Sequence, residues 1–69
     1  MLKTDNEKLL LKIKEKGLTI IEVSEKLGIN RATFYRRMAN NSFRISDIQK
    51  LTAILGLSGE EATIIFLAA

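Results

Sequence analysis

Two capped helix starts separated by a single glycine constrain this chain more than any other feature. Thr19 is followed at the third position by Glu22, and this spacing predicts a capping box, in which each side chain accepts from the backbone N–H of the other residue. Gly28 predicts the end of that helix, since a residue without Cβ adopts the left-handed conformation at little cost. Asn30 predicts the next start as an N-cap. Two short helices joined by a tight turn therefore occupy about residues 19–39.

Further start and stop signals cover the rest of the chain. Three more capping boxes are predicted, beginning at Thr4, Ser46 and Ser58. Stop signals follow the other helices, at Gly17, Asn40–Ser42 and Gly56. Proline is absent, and no stretch alternates apolar and polar residues long enough to indicate a strand. The pattern predicts an all-α chain with helices near residues 5–16, 20–27, 31–39, 47–55 and 59–68.

Apolar side chains recur at helical spacing and predict one core. The expected stripes on the first four helices are Leu9, Leu10 and Ile13; Val23 and Leu27; Phe34 and Met38; and Ile48, Leu51 and Leu55. Ser24 lies on the inner side of the second helix, where its small size permits a crossing helix to approach closely. Because 69 residues support one domain, we expect a compact five-helix bundle that spans residues 1–69.

The positive charge lies in the middle of the chain. The formal net charge is +3, yet residues 26–50 carry +5, whereas residues 1–25 carry 0 and residues 51–69 carry −2. All four arginines fall between residues 31 and 44. The planar guanidinium group matches the geometry of phosphate and of guanine edges. This distribution favours a nucleic-acid partner and concentrates the expected contacts on the third helix and the loop after it.

Helical spacing separates the third helix into an inner and an outer side. If Phe34 and Met38 face the core, the outer side carries the candidates for base contact in the DNA major groove, which are Arg31, Ala32, Tyr35 and Arg36. Candidates for contact with the DNA backbone lie around them, at Asn30, Thr33, Arg37, Asn41, Ser42 and Arg44. Two alternatives stay open: the arginines form a solvated surface, and Tyr35 covers the edge of the core.

Two stretches resemble the XRE/Cro-repressor family of helix-turn-helix regulators. Residues 17–36 read GLTIIEVSEKLGINRATFYR, which is similar to the core motif of that family, and residues 45–58 read ISDIQKLTAILGLS, which is similar to its fourth helix. The TFYR at residues 33–36 and the ending with Glu60, Glu61, Ala62, Ile65 and Phe66 look most like small phage-derived members from Gram-positive bacteria. The resemblance implies a lambda-repressor-like DNA-binding domain whose helix-turn-helix spans about residues 19–39.

Two positions depart from the pattern of that family. At the first position of the second helix the family commonly has Gln, which touches a phosphate, but this chain has Ile20. One expected DNA contact is therefore missing, and Ile20 is left near the surface unless it packs elsewhere. Ser24 stands where Ala is usual, which is a conservative change in size.

The C-terminal helix is more apolar than one buried face requires. Ala62, Ile65, Phe66 and Ala69 share the side that is expected to close the core. The remaining apolar residues, Ile64, Leu67 and Ala68, are candidates for a two-fold dimer contact. The alternative is a helix that is buried on two sides. A dimer would place two recognition helices about 34 Å apart, as a palindromic operator requires.

Composition excludes several other classes of function. The chain has no Cys and no His, which removes thiol nucleophiles, disulfides and the usual zinc ligand sets. We expect neither an enzyme nor a cofactor, a metal or a small-molecule ligand. No apolar run approaches the roughly 20 residues that span a bilayer, and residues 1–7 contain no signal-peptide hydrophobic core. These features predict a cytoplasmic protein without a membrane partner.

The sequence thus predicts a transcriptional regulator that binds double-stranded DNA sequence-specifically through the major groove. The expected form is a Cro-like phage or prophage repressor that acts as a homodimer on a palindromic operator. With 69 residues, it is either a complete regulator of this type or a DNA-binding fragment of a longer repressor. The alternative function is a protein-interaction module on the same fold, with the apolar C-terminal helix as its working surface.

Overall fold

Five α-helices follow one another in the computed structural model, which describes residues 2–69. They are α1 (Asn6–Glu15), α2 (Ile20–Leu27), α3 (Arg31–Ala39), α4 (Ile45–Ile54) and α5 (Gly59–Phe66). Within the described residues, the extended backbone pairing is confined to an isolated antiparallel bridge between Lys3 and Ala68. The all-α prediction is confirmed, and the predicted bounds of α2 and α3 agree with the structure residue for residue.

Short polar side chains cap four of these five helix starts. Asp5, Thr19, Asn30 and Ser58 each accept from the backbone N–H three residues on. The capping boxes at Thr19 and Ser58 are confirmed, because Glu22 and Glu61 also accept from the N–H of their caps. The box predicted at Thr4 is wrong. Asp5 caps α1 instead, and the N–H of Thr4 donates to Asn41 Oδ1 at 2.9 Å.

The capping box predicted at Ser46 is also wrong, because α4 begins two residues earlier than expected. Asp47 is the residue that reaches back: its Oδ2 accepts from the N–H of Arg44 at 2.9 Å, and Arg44 becomes the N-cap. Ser46 consequently lies exposed within the first turn. At the other end of the chain, α5 stops at Phe66 rather than near residue 68, since the backbone of Ala68 pairs with Lys3 at 2.8 and 2.9 Å.

The turn between α2 and α3 is closed by the backbone alone. Gly28 has a φ of 77°, in the left-handed region. Its N–H donates to the carbonyl of Glu25, and the N–H of Ile29 donates to the carbonyl of Ser24, each at 3.0 Å. These two bonds form a Schellman motif, which satisfies carbonyls at the end of the helix. The turn is therefore tight, and α3 restarts at once from its Asn30 cap.

The core is drawn from all five helices. Its buried apolar residues are Leu9, Ile13, Val23, Leu27, Phe34, Met38, Leu51, Leu55, Ile65 and Phe66. Ser24 is also buried, as predicted, and its hydroxyl donates to the carbonyl of Ile20 at 2.7 Å. Two expectations are wrong: Leu10 is 38% exposed, and Ala69 is exposed. Leu10 fails because it lies about 100° around α1 from Leu9, whereas Leu9 and Ile13 share one face.

The helices pack in two groups that share this core. The second helix contacts both α3 and α4, and α1 contacts α5. The described residues measure 27 × 23 × 20 Å along their principal axes. The longest helices among residues 2–69 have ten residues, so none of them is long and apolar enough to cross a membrane.

Candidate nucleic-acid interface

One side of α3 presents the four residues that the sequence predicts to contact DNA bases. Arg31, Ala32, Tyr35 and Arg36 are all exposed. They share one side because the spacing i, i+1, i+4 and i+5 covers less than half of a helix circumference. Phe34, at 0% exposed, and Met38, at 9% exposed, are the residues through which α3 packs into the core. The structure therefore brings these four residues together on solvent, while their contact with bases stays a prediction.

An aromatic cluster of Phe34, Tyr35 and Phe43 packs α3 against the loop that follows it. Phe34 packs edge-on against Phe43 in the α3–α4 loop, with ring centroids 5.4 Å apart. The ring of Tyr35 also lies edge-on to Phe34, at 6.4 Å, and Tyr35 is 47% exposed. Tyr35 thus covers the edge of the core and leaves about half of its surface exposed, while its contact with bases stays a prediction. The cluster ties the exposed face of α3 to the loop that follows it.

Arg37 does not share the exposed side of its helix. Its Nη1 donates to Asp47 Oδ2 at 2.9 Å, and the two side chains are only 13% and 7% exposed. The same carboxylate oxygen accepts from the N–H of Arg44. Asp47 therefore joins α3, the α3–α4 loop and α4 at one point. This role of Asp47 was not predicted from the sequence. The spacing of an acidic residue three positions after an arginine in the loop could have indicated the start of α4 at Arg44.

Two asparagines predicted to touch the DNA backbone also have partners within the chain. The side-chain oxygen of Asn30 accepts from the N–H of Thr33 at 2.7 Å and so caps α3. Asn41, at a φ of 52°, accepts from Thr4 and donates to the carbonyl of Leu2 at 3.4 Å. These side chains shape the ends of α3 and the loop. Thr33 is half-buried beside its cap.

Like Asn30 and Asn41, the predicted backbone contacts Ser42 and Arg44 are exposed. Both lie in the α3–α4 loop, where the N–H of Ser42 donates to the carbonyl of Arg37 at 2.8 Å. The loop backbone is consequently fixed at Ser42 and at Arg44, which caps α4. A polar and a cationic side chain extend from this fixed loop beside α3.

Ile20, which replaces the Gln expected from the resemblance, has a structural explanation. Its side chain is half-buried and packs against the core cluster. The first turn of α2 therefore contributes an apolar contact to the core, where the family commonly has a polar side chain that touches a DNA phosphate.

Two apolar grooves flank α5. The side chains of Ile64 and Leu67 are 48% and 51% exposed, while Ala68 is half-buried. Ile65 and Phe66 face the core, so the alternative of a helix buried on two sides is wrong for Ile64 and Leu67. One groove, of about 230 Å³, lies between α1 and α5. The other, of about 250 Å³, lies between α4 and α5 and is lined by Ile45, Ile48, Gln49, Ala62, Thr63, Phe66 and Leu67.

A charged cluster crosses the groove between α1 and α5. Lys12 Nζ lies 2.8 Å from Glu61 Oε2 and 3.3 Å from Glu15 Oε2. The hydrogen bond from Lys12, helped by the backbone N–H of Ser58, lowers the pKa of Glu61 to about 2. The same hydrogen bonds to Glu61 and Glu15 raise the pKa of Lys12. This cluster links the first helix to the last.

Comparisons with known proteins give no relative for this chain: no family model matches it, and no curated protein or solved structure shows significant similarity to it.

Proposed function

We propose that this protein is a sequence-specific regulator of transcription that binds double-stranded DNA through a helix-turn-helix formed by α2 and α3. The observation that carries the proposal is the exposed side of α3, where Arg31 and Arg36 flank Ala32 and Tyr35. The packing of Phe34 against Phe43 fixes this helix in place. An α-helix fits the major groove, which is about 12 Å wide, and Arg to guanine is the commonest specific contact there.

The loop after α3 supports the same proposal. Arg44 and Ser42 extend from a fixed backbone, and the segment from residue 26 to residue 50 carries a net charge of +5. Contacts to phosphates fix the register of a protein on the duplex, whereas contacts to base edges supply specificity. We assign Arg44 and Ser42 to the first task. Arg37 and Asn41, which bond within the chain, act by holding the loop in place.

The proposal includes membership of the XRE/Cro family and a Cro-like mode of action. Two copies of the protein would each insert one α3 into successive major grooves of a palindromic operator, about 34 Å apart. Occupation of that operator would block RNA polymerase sterically. The proposal thus describes a repressor of phage or prophage type that works in the bacterial cytoplasm, with DNA and a second copy of itself as partners.

Selection of bound sequences from a random duplex library, followed by fluorescence anisotropy on the selected site, tests this function. We expect a palindrome, and an affinity whose logarithm falls linearly with the logarithm of salt concentration, because bound phosphates release counterions. Absent binding, or binding that salt does not weaken, would remove DNA from the proposal.

Three alanine variants separate the assigned roles. Arg31→Ala and Arg36→Ala should each lose about 1–3 kcal/mol on the selected site and much less on random DNA, because a base contact is lost. Arg44→Ala should weaken binding to both DNAs alike. Lys14→Ala, which removes one positive charge from α1, is the matched control and should change both affinities little. Equal losses on both DNAs for all three arginines would contradict these roles.

The exposed apolar side chains of α5 favour one second candidate, a protein-interaction module on the same fold. Ile64 and Leu67 are each about half exposed, although Ile65 and Phe66 already close the core. A pull-down from a bacterial lysate with and without nuclease discriminates the two functions. A DNA reader should lose most retained partners after nuclease treatment, whereas an interaction module should keep them.

A further inference from the structure

One face of α1 points away from the core toward the groove beside α5. This groove is lined by Lys8, Leu11, Lys12, Glu15, Glu61, Ile64 and Ile65. The exposed fraction of Leu11 is 56% and that of Ile64 is 48%, so the middle of the groove is apolar and open to solvent. Its volume, about 230 Å³, exceeds the roughly 150 Å³ that accommodates a benzene molecule. An aliphatic side chain from another molecule therefore fits.

The charges on this face of α1 are arranged by sign. Lys8 lies on the N-terminal side of Leu11 and Glu15 on its C-terminal side, and their side chains are 56% and 52% exposed. Lys12, at 22% exposed, is engaged with Glu15 and Glu61. The one intramolecular ion pair of Lys8 among the described residues, to Asp5, is long at 3.8 Å. The stripe is thus cationic at one end, apolar at its centre and anionic at the other.

We propose that a second copy of this chain occupies this groove, with the two α1 helices antiparallel about a two-fold axis near Leu11. At 1.5 Å per residue, Lys8 lies about 4.5 Å before Leu11 and Glu15 about 6 Å after it. The antiparallel arrangement therefore sets Lys8 of each copy opposite Glu15 of the other. A parallel arrangement would oppose like charges. The interface is self-complementary, as two-fold symmetry requires.

The groove between α1 and α5 differs from the groove between α4 and α5 in the charge of its lining residues. The lining of the α4–α5 groove contains no charged residue, so nothing there selects an orientation or an occupant. A single helix pair buries less than the roughly 800 Å² per partner of a standard interface, and we expect a weak dimer with a Kd on the order of 100 μM. This inference deepens the two-copy part of the proposed function. Its tests use no DNA, so its failure leaves DNA binding unaffected.

Sedimentation equilibrium of three proteins tests the location of the interface. Leu11→Glu should weaken the dimer by at least about tenfold, because it buries a carboxylate at the two-fold axis. Leu67→Glu, at a position of similar exposure on the other side of α5, is the matched control and should change the Kd by less than about twofold. A monomer at roughly 1 mM, or dissociation by Leu67→Glu alone, overturns the proposal.

Mixing two charge-reversed variants tests the antiparallel register. In homodimers of Lys8→Glu, or of Glu15→Lys, both cross-pairs are repulsive. A heterodimer of the two variants restores both attractive pairs. Relative to a homodimer, it loses two repulsive pairs and gains two attractive ones. At roughly 0.35 kcal/mol for each exposed pair, these four terms should strengthen association on mixing by about tenfold. Effects within each chain cancel, since neither sequence changes on mixing. No gain on mixing refutes this register, and high salt should reduce any gain.

Discussion

The carboxylate of Asp47 joins α3 to the α3–α4 loop, which are the two parts of the candidate interface. It accepts from Arg37 in α3 and from the backbone N–H of Arg44, each at 2.9 Å, and it is 7% exposed. A nearly buried ion pair adds little over an apolar replacement, but removing one partner leaves the other charge uncompensated. The pair consequently specifies where α4 begins relative to α3.

We therefore expect Asp47→Ala to lower the free energy of unfolding by about 3 kcal/mol, since it strands the Arg37 guanidinium and the N–H of Arg44. Asp47→Asn should cost less, because its amide oxygen still accepts. Urea denaturation measures both. Lys8→Ala, which breaks the exposed 3.8 Å pair with Asp5, is the control and should cost less than about 0.5 kcal/mol. A loss for Asp47→Ala no larger than the control contradicts this role.

At the residue scale, the sequence predicts exposure better than it predicts partners. The exposed side of α3 follows from helical spacing once Phe34 is placed in the core. The partner of Arg37 does not follow, because Asp47 lies on another helix whose start the sequence misplaced. A contact between helices depends on how they pack, and a periodic pattern carries no information about that packing angle.

At the scale of the element, the turn between α2 and α3 depends on one backbone conformation. Gly28 has a φ of 77°, and no atom lies within 4 Å of an added Cβ, so conformational strain is the only cost of a side chain there. We expect Gly28→Ala to lower the free energy of unfolding by about 1–2 kcal/mol. Thermal or urea unfolding measures the loss.

Gly59 provides the matched control for that turn. It lies at the first position of α5, its φ is outside the left-handed region, and an added Cβ meets open space. Gly59→Ala should therefore raise the free energy of unfolding by about 0.4–1 kcal/mol, because it restricts the unfolded chain. If both substitutions shift stability in the same direction, the left-handed requirement at Gly28 is contradicted.

Local signals predicted elements best where they agreed with one another. The bounds of α2 and α3 were predicted correctly because a capping box, a left-handed glycine and an asparagine cap occur at compatible spacings. At α4, the sequence predicted a capping box at Ser46, but Asp47 reaches back to the N–H of Arg44 and the helix begins earlier. At α5, the pairing of Ala68 with Lys3 ended the helix early. That contact joins the two ends of the chain and lies outside any local window.

At the scale of the whole molecule, α1 and α5 are held together by groups far apart in sequence. The backbone of Lys3 pairs with Ala68, and Lys12 donates to Glu61 at 2.8 Å. Helical periodicity indicates that both helices have an inner face, but not that these faces meet. The groove between them therefore became visible only in the folded chain.

The Lys12–Glu61 contact makes the stability of the molecule depend on pH in a defined direction. The hydrogen bond from Lys12 lowers the pKa of Glu61 from 4.5 to about 2 in the folded protein. A carboxyl group whose folded pKa is depressed stabilises the fold while it is ionised. This contribution is complete above pH 4.5 and is lost as the pH falls toward 2. The acid side of the stability profile should accordingly be steeper than in a chain without this contact.

Glu61→Gln tests this dependence, because glutamine is similar in shape but does not titrate. We expect the Tm of the variant, followed by circular dichroism at low salt, to fall less between pH 4.5 and 2 than that of the original chain, with the largest difference in Tm near neutral pH. Glu60→Gln changes the charge equally on the same turn of α5 and should keep the original slope. Lys12→Met should reproduce the shallow slope of Glu61→Gln, since it removes the donor that lowers the pKa of Glu61. Parallel profiles for Glu61→Gln and Glu60→Gln would show that the link between the first and last helices does not control acid stability.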